Sequence, residues 1–398
     1  MAQDGETDYS SFSRAQLEEA FERIDRRRFP VNYRRLVAEL ERRRAADDVA
    51  QAEEPEVTRY RFEFKGNASE YFRIWIVNLG LTIVTLGIYS AWAKVRKQRY
   101  FYGNTYLVGS AFGYHAEPLR ILKGRLIAGA LVAIYFLSTR VSLKATLAVI
   151  CLIGVAMPWL VVKSRVFSSR VTSWRGLRFN FKADYRGAYT VLLGWLVLGI
   201  LTLGILMPRA TRERYRFLVT RTCYGSAAFE CNPGVGRFYK TAFAAIGLVI
   251  LVGMGVGFLV LALRAGIGAP SSAGMTKAVS YASLFINYAI LGPMLLGYTR
   301  ARNLNEVFNH TTLGTNAFKA NFSATKLTGI YMGNVFAIVA SLGMLTPWAE
   351  IRLARYRLES IELHAVQSLD NFVANPSAEV PSATGEELTS FLDLDFGF

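Results

Sequence analysis

The residues in this chain whose chemistry is out of place are amides and hydroxyls lying inside apolar runs. Asn78, Thr82 and Thr85 fall in the run 71–93, Thr202 in 188–208, Asn287 in 279–298 and Asn334 in 328–348. Such side chains are costly in lipid, so they mark either a solute path or a contact between helices. Asn78 and Asn334 hold matching places in two similar segments. They therefore form either a polar constriction across a pseudosymmetry axis or bonds between helices. Other chemistry is thin. The chain has no GxSxG elbow, P-loop or HExxH motif, and His115, His310 and His364 are scattered through polar segments. Cys151, Cys223 and Cys231 make neither a CxxC pair nor a disulfide framework. The expectation is a protein that is not an enzyme and uses no cofactor or metal.

The runs that hold these residues set the architecture. Hydrophobic residues make up 52% of the 398. Apolar runs lie at 71–93, 126–138, 145–162, 188–208, 241–263, 279–298 and 328–348, several near the roughly 20 residues that cross a bilayer as helix. The formal net charge of +16 gathers between them, at 94–99, 163–182, 209–221, 300–326 and 352–357. Only 139–144 and 265–276 are poor in basic residues. Basic loops beside apolar runs point to the cytoplasmic face and anionic lipid headgroups, with no nucleic acid as partner. The first run starts behind a long charged segment, so the N-terminus is expected in the cytoplasm without a cleaved signal.

Repetition organises the runs. Thr85-Leu86-Gly87 recurs as Thr202-Leu203-Gly204 and as Ser341-Leu342-Gly343. In the same register come Arg99, Arg216 and Arg355, then Tyr100, Phe217 and Tyr356, and Trp92 matches Trp348. Basic and aromatic residues leaving an apolar run read as anchors at the membrane interface. A second pattern, Thr followed seven residues later by Phe, runs Thr105 to Phe112, Thr172 to Phe179, Thr222 to Phe229 and Thr311 to Phe318. Each copy encloses a turn glycine and predicts a β-hairpin, and the alternation of Tyr60, Phe62 and Phe64 predicts one more strand. Phe62 and Phe179, Thr85 and Thr202, and Phe112 and Phe229 all stand 117 residues apart. Strand, apolar element and hairpin are thus expected as one copied unit.

Each Thr-Leu-Gly element has basic flanks on both sides, which single crossings would place across the membrane from each other. The expected fold is an α-helical integral membrane protein with internal repeats. It has four full spans, three re-entrant or bent Thr-Leu-Gly helical elements and cytoplasmic β-hairpins; seven ordinary spans are the alternative. Residues 1–57 form a cytoplasmic helical module and linker, 58–364 the repeated membrane domain, and 365–398 an acidic, mostly disordered tail. The end of that tail either docks on the basic face or stays a solubilising segment.

The core Thr85-Leu86-Gly87-Ile88-Tyr89-Ser90-Ala91-Trp92-Ala93-Lys94-Val95-Arg96 is followed by Arg99-Tyr100-Phe101-Tyr102 and Phe112-Gly113-Tyr114-His115. Trp174-Arg175-Gly176-Leu177-Arg178-Phe179 and Thr346-Pro347-Trp348-Ala349-Glu350-Ile351-Arg352 complete the pattern. Over residues 60–364 the chain resembles the YjgN family of bacterial inner-membrane proteins, with Ala91 where that family often has proline. The resemblance implies a bacterial inner-membrane protein and carries no activity with it. Two functions follow from the residues. One is a transporter or channel-like protein for an unknown solute, built on bent elements with buried polar groups. The other is a membrane scaffold or sensor that binds cytoplasmic protein partners. Gly253 and Gly257 would allow close packing in a homo-oligomer.

Overall fold

The computed structural model describes residues 4–52, 57–267 and 273–366; the end of the tail, whether docked or solubilising, lies outside the described residues. The chain divides into two compact units, Met1–Val57 and Thr58–Phe398. The first holds α1 (Arg14–Arg23) and α2 (Pro30–Ala52). Ser13 and Gln16 exchange side-chain and backbone bonds as a capping box that starts α1. Leu17 and Leu36, both fully buried, join the two helices with Tyr9.

The second unit begins with β1 (Thr58–Phe64), α3 (Ala68–Val84), α4 (Ser90–Gly103), β2 (Thr105–Leu107) and β3 (Ser110–Tyr114). It continues with α5 (Pro118–Val141), α6 (Leu143–Val171), β4 (Thr172–Trp174), β5 (Leu177–Phe181) and α7 (Tyr185–Ala188). A π-turn at Tyr189–Gly194 leads into α8 (Trp195–Leu201), α9 (Met207–Thr220), β6 (Thr222–Tyr224) and β7 (Ala227–Cys231). Then come α10 (Val235–Ile267), α11 (Ala273–Phe308), β8 (Thr311–Leu313), β9 (Asn316–Ala320), α12 (Ala324–Ala340), α13 (Thr346–Glu359) and β10 (Ile361–Ala365).

The ten strands close into one barrel in which β1 pairs with both β10 and β2, and every pairing is antiparallel. Helices join each odd strand to the next even one, and two-residue turns join each even strand to the next odd one. The order therefore puts every described helical connection at one end of the barrel and the turns at the other. The Thr and Phe of the sequence pattern have separate tasks in this. Thr105, Thr172, Thr222 and Thr311 each donate a hydroxyl bond, 2.7–2.9 Å long, to the carbonyl four residues back, fastening strand to helix. The Phe side chains fill the barrel: Phe112 lies opposite Trp174, Phe179 opposite Tyr224, Phe229 opposite Leu313 and Phe318 opposite Leu363. Phe62 opposite Leu107 completes the ring. The turns Val108-Gly109 and Arg175-Gly176 have positive φ at both residues, the hairpin geometry that suits twisted strands.

The Thr-Leu-Gly segments turn one helix back on the next. Gly87, Gly204 and Gly343 each donate at 2.8 Å to the carbonyl five residues back. Leu86, Leu203 and Leu342 sit at φ of 49–52° on the exposed tips.

The expected four spans with three re-entrant elements, and the seven-span alternative, are overturned. Among the described residues three helical stretches, Pro118–Val141, Leu143–Val171 and Val235–Phe258, are long and apolar enough to cross a membrane. The helices before the Thr-Leu-Gly turns are shorter; α3 and α12 have 17 residues each. The hairpins expected on the cytoplasmic face pair, together with β1 and β10, into one closed barrel. Apolar content was legible in the runs, but the turn that cuts each helix short, and the pairing that joins distant strands, are not properties of hydropathy.

Candidate anion site

Most residues singled out by type and spacing brace the helical pairs. Asn334 is buried and donates from Nδ2 to Ala349 O at 3.0 Å, tying α12 to α13. Asn78 is equally buried, and its backbone oxygen accepts from Thr82 Oγ1 at 2.6 Å. The Oδ1 atoms of both asparagines are buried without a hydrogen-bond partner, so no bond joins the two amides. Thr85 Oγ1 donates to Leu81 O at 2.7 Å and accepts from Tyr89 N at 2.9 Å, closing its turn from both sides. Thr202 repeats this with Leu198 O and Leu206 N. Asn287 lies on α11 where the side chain falls outside the described residues.

The interface residues interlock in the same way. Tyr100 OH donates to Asn67 O at 2.9 Å and accepts from Asn67 N at 2.8 Å; Tyr356 OH does both with Ser323. Phe217 has no hydroxyl and packs against Phe181 instead. Arg355 reaches Gly66 O at 3.0 Å, Arg216 lies 3.9 Å from Glu213, and Arg99 is exposed. Trp348 carries the Arg352 guanidinium 5.2 Å above its ring, and Trp92 stacks on Tyr89.

A cavity of about 660 Å³ gathers different residues. It is bounded by the second Thr-Leu-Gly tip, α9, α10, α11 and one residue of α13. Its polar lining includes Arg214 from α9, Arg300 from α11 and Arg357 from α13. Its apolar lining includes Phe238, Phe243 and Ile246 of α10. No Asp or Glu is among the described lining residues. Glu359, two residues beyond Arg357, is exposed, and two other acids near these arginines in sequence are engaged elsewhere. Glu213 pairs with Arg212, and the buried Glu306 accepts from Gly234 N at 2.8 Å, with Arg237 Nε 3.1 Å from Oε2 but too oblique for a hydrogen bond. Burial, and further the Arg300 charge, push the Arg214 guanidinium below its usual range, against an opposing effect of Tyr215. Arg357 donates from Nη2 to Tyr331 OH at 2.6 Å, while its Nε is buried without a hydrogen-bond partner. Sequence reading saw these arginines as members of basic clusters. Their convergence from positions 214, 300 and 357 has no local signal.

The family described as "Bacterial protein of unknown function (DUF898)" matches residues 59–391, most of the chain. The chain belongs to this family. Its relatives include the inner membrane protein YjgN of Salmonella typhimurium, 25% identical over 356 residues that cover 75% of this chain and 87% of the relative. The YjgN proteins of Escherichia coli O157:H7 and K12 are 31% and 30% identical over 144 residues. There the match spans only 35% of this chain and of each relative. No solved structure matches the chain. As a DUF898 member with YjgN relatives, the chain is a membrane protein of the bacterial inner membrane, as the motif resemblance implied. Within the family region lie all of the barrel but Thr58, the helical pairs of the second unit and all three cavity arginines.

Proposed function

We propose that the protein is a transporter-like carrier for an amphiphilic anion, with the arginine-lined cavity as its binding site. The supporting observation is the lining itself, three guanidiniums with no acid and an apolar wall on α10. Removing a cation from water costs several kcal/mol unless an opposite charge meets it, so the cavity is complementary to an anion. Its apolar side adds roughly 25 cal/mol for each Å² of hydrocarbon it covers. The barrel offers no comparable route, because Phe112, Trp174, Phe179 and Tyr224 pack ring against ring inside it.

In this reading the protein is multi-pass, with its N-terminus and barrel on the cytoplasmic side against anionic headgroups. Basic residues on α4, α9 and α13 support that side. The reading also holds the chain to be internally repeated, which the shared turn dihedrals and the Thr and Phe tasks support. The experiment is leaflet exchange in liposomes reconstituted with the full chain and a tail-labelled anionic lipid, read by external quenching. Protein-dependent exchange that the Arg300→Ala, Arg357→Ala double variant abolishes is expected. Exchange no faster than in protein-free liposomes overturns the carrier.

A further inference from the structure

We infer that the cavity recognises a lipid phosphate monoester, its phosphate at the arginines and its hydrocarbon along α10. The assignment rests on the proposed carrier site and names the chemistry it would hold. The first ground is charge. Arg214, Arg300 and Arg357 line one cavity without a carboxylate, and a phosphate monoester brings about −1.5 to −2 charge near pH 7 and three strong acceptor oxygens. A fatty acid brings a single charge and two oxygens. Guanidinium forks pair well with phosphate oxygens, and Arg357 Nε is a buried donor without a hydrogen-bond partner.

The second ground is the shape of the apolar side. Phe243 and Ile246 line the cavity, and Ile250 and Met254 continue from them at helical spacing on α10. Phe243, Ile246, Ile250 and Met254 are 68%, 55%, 56% and 70% exposed. From Phe243 to Met254 the stripe rises roughly 16 Å at about 1.5 Å per residue, and this stretch belongs to a helix apolar enough to cross a membrane. A cavity of about 660 Å³ takes the headgroup and the first part of a chain. The rest of the hydrocarbon then lies on the stripe.

A third observation sets this place apart. The corresponding helices α3 and α12 are unbroken, whereas the helix that leads to the cavity-lining tip contains the π-turn Tyr189–Gly194. Such turns recur at functional sites.

The test is equilibrium binding to the delipidated full chain in neutral detergent, by native mass spectrometry and by competition with a tail-labelled probe. Dioleoyl phosphatidate is compared with dioleoyl phosphatidylglycerol, oleate, dioleoyl phosphatidylcholine and inorganic phosphate. Phosphatidate is expected to bind at least tenfold tighter than the diester and oleate, with phosphatidylcholine and inorganic phosphate weaker still. Arg300→Ala with Arg357→Ala should cost tenfold or more, and Arg300→Lys, which keeps the charge and loses the fork, should fall between. Circular dichroism and elution volume show that each variant is folded; should the double variant not fold, Arg300→Lys and Met254→Asp carry the comparison. Phosphatidylglycerol, oleate or phosphatidylcholine binding as tightly as phosphatidate overturns the assignment, as does an unchanged affinity in the folded variants. Selective binding without leaflet exchange overturns the carrier alone, and exchange of anions without phosphate selectivity overturns the assignment alone.

Discussion

The seam that closes the barrel carries an exposed ion pair, Arg61 Nε to Glu362 Oε1 at 2.7 Å. The Arg61 hydrogen bond comes first among the causes that hold the Glu362 carboxyl below the usual range. A folded pKa below the unfolded one stabilises above the ordinary carboxylate pKa of about 4.3, and that stability is lost as pH falls through the folded value. With Arg61 76% exposed the pair contributes at most about 1 kcal/mol. Glu362→Gln should thus lower the melting temperature slightly at pH 7 and converge on the parent protein toward pH 3. A constant difference across that range would show that the charge is not responsible. The tyrosine locks permit a sharper comparison. Tyr356→Phe removes two bonds to the Ser323 backbone and should destabilise by about 1–2 kcal/mol in denaturant unfolding. Phe217 occupies the matching place without a hydroxyl, so a neutral result for Tyr356→Phe would make these locks incidental.

At the scale of elements, the three turns are strained in the same manner. Leu342 adopts φ of 52° with 94% of its surface exposed, and Gly343 follows at φ 90°. A left-handed conformation costs an L-residue roughly 1–2 kcal/mol that glycine escapes. Leu342→Gly should therefore raise the unfolding midpoint in detergent, while Gly343→Ala should lower the midpoint and destabilise by about 1 kcal/mol or more. A drop for Leu342→Gly would mean that the exposed leucine is held by contacts worth more than the strain. The start of α1 was legible because local chemistry sets it, Ser13 and Gln16 forming its capping box, and the Thr-Leu-Gly repeat marked where the first and fourth apolar runs bend. Strand β10 was missed because Ile361-Glu362-Leu363-His364-Ala365 follows directly on α13. Five alternating residues gain strand geometry only from β1 and β9 beside them.

In the molecule as a whole, the barrel ties every helical pair of the second unit to its neighbours. Trp174 is 4% exposed within it and packs on Phe112 and Tyr224. Trp174→Ala leaves a cavity worth about 3–5 kcal/mol, and the loss should be felt by strands and helices together. Fluorescence of the remaining tryptophans and helical circular dichroism are expected to shift to one lower, shared midpoint. Helices melting at the parental midpoint would show that the barrel does not organise them. The sequence by itself determined the local parts: where the apolar segments lie, that hairpins turn at the glycines, and that Thr-Leu-Gly recurs. These are short-range matters of hydropathy, backbone conformation and capping. Only the tertiary structure decided that the hairpins close into one barrel, that the turns leave three described stretches able to cross a membrane, and that Arg214, Arg300 and Arg357 share a cavity. Barrel closure pairs Thr58 with Ala365, and hydrogen bonds between residues so far apart leave no periodicity in the chain.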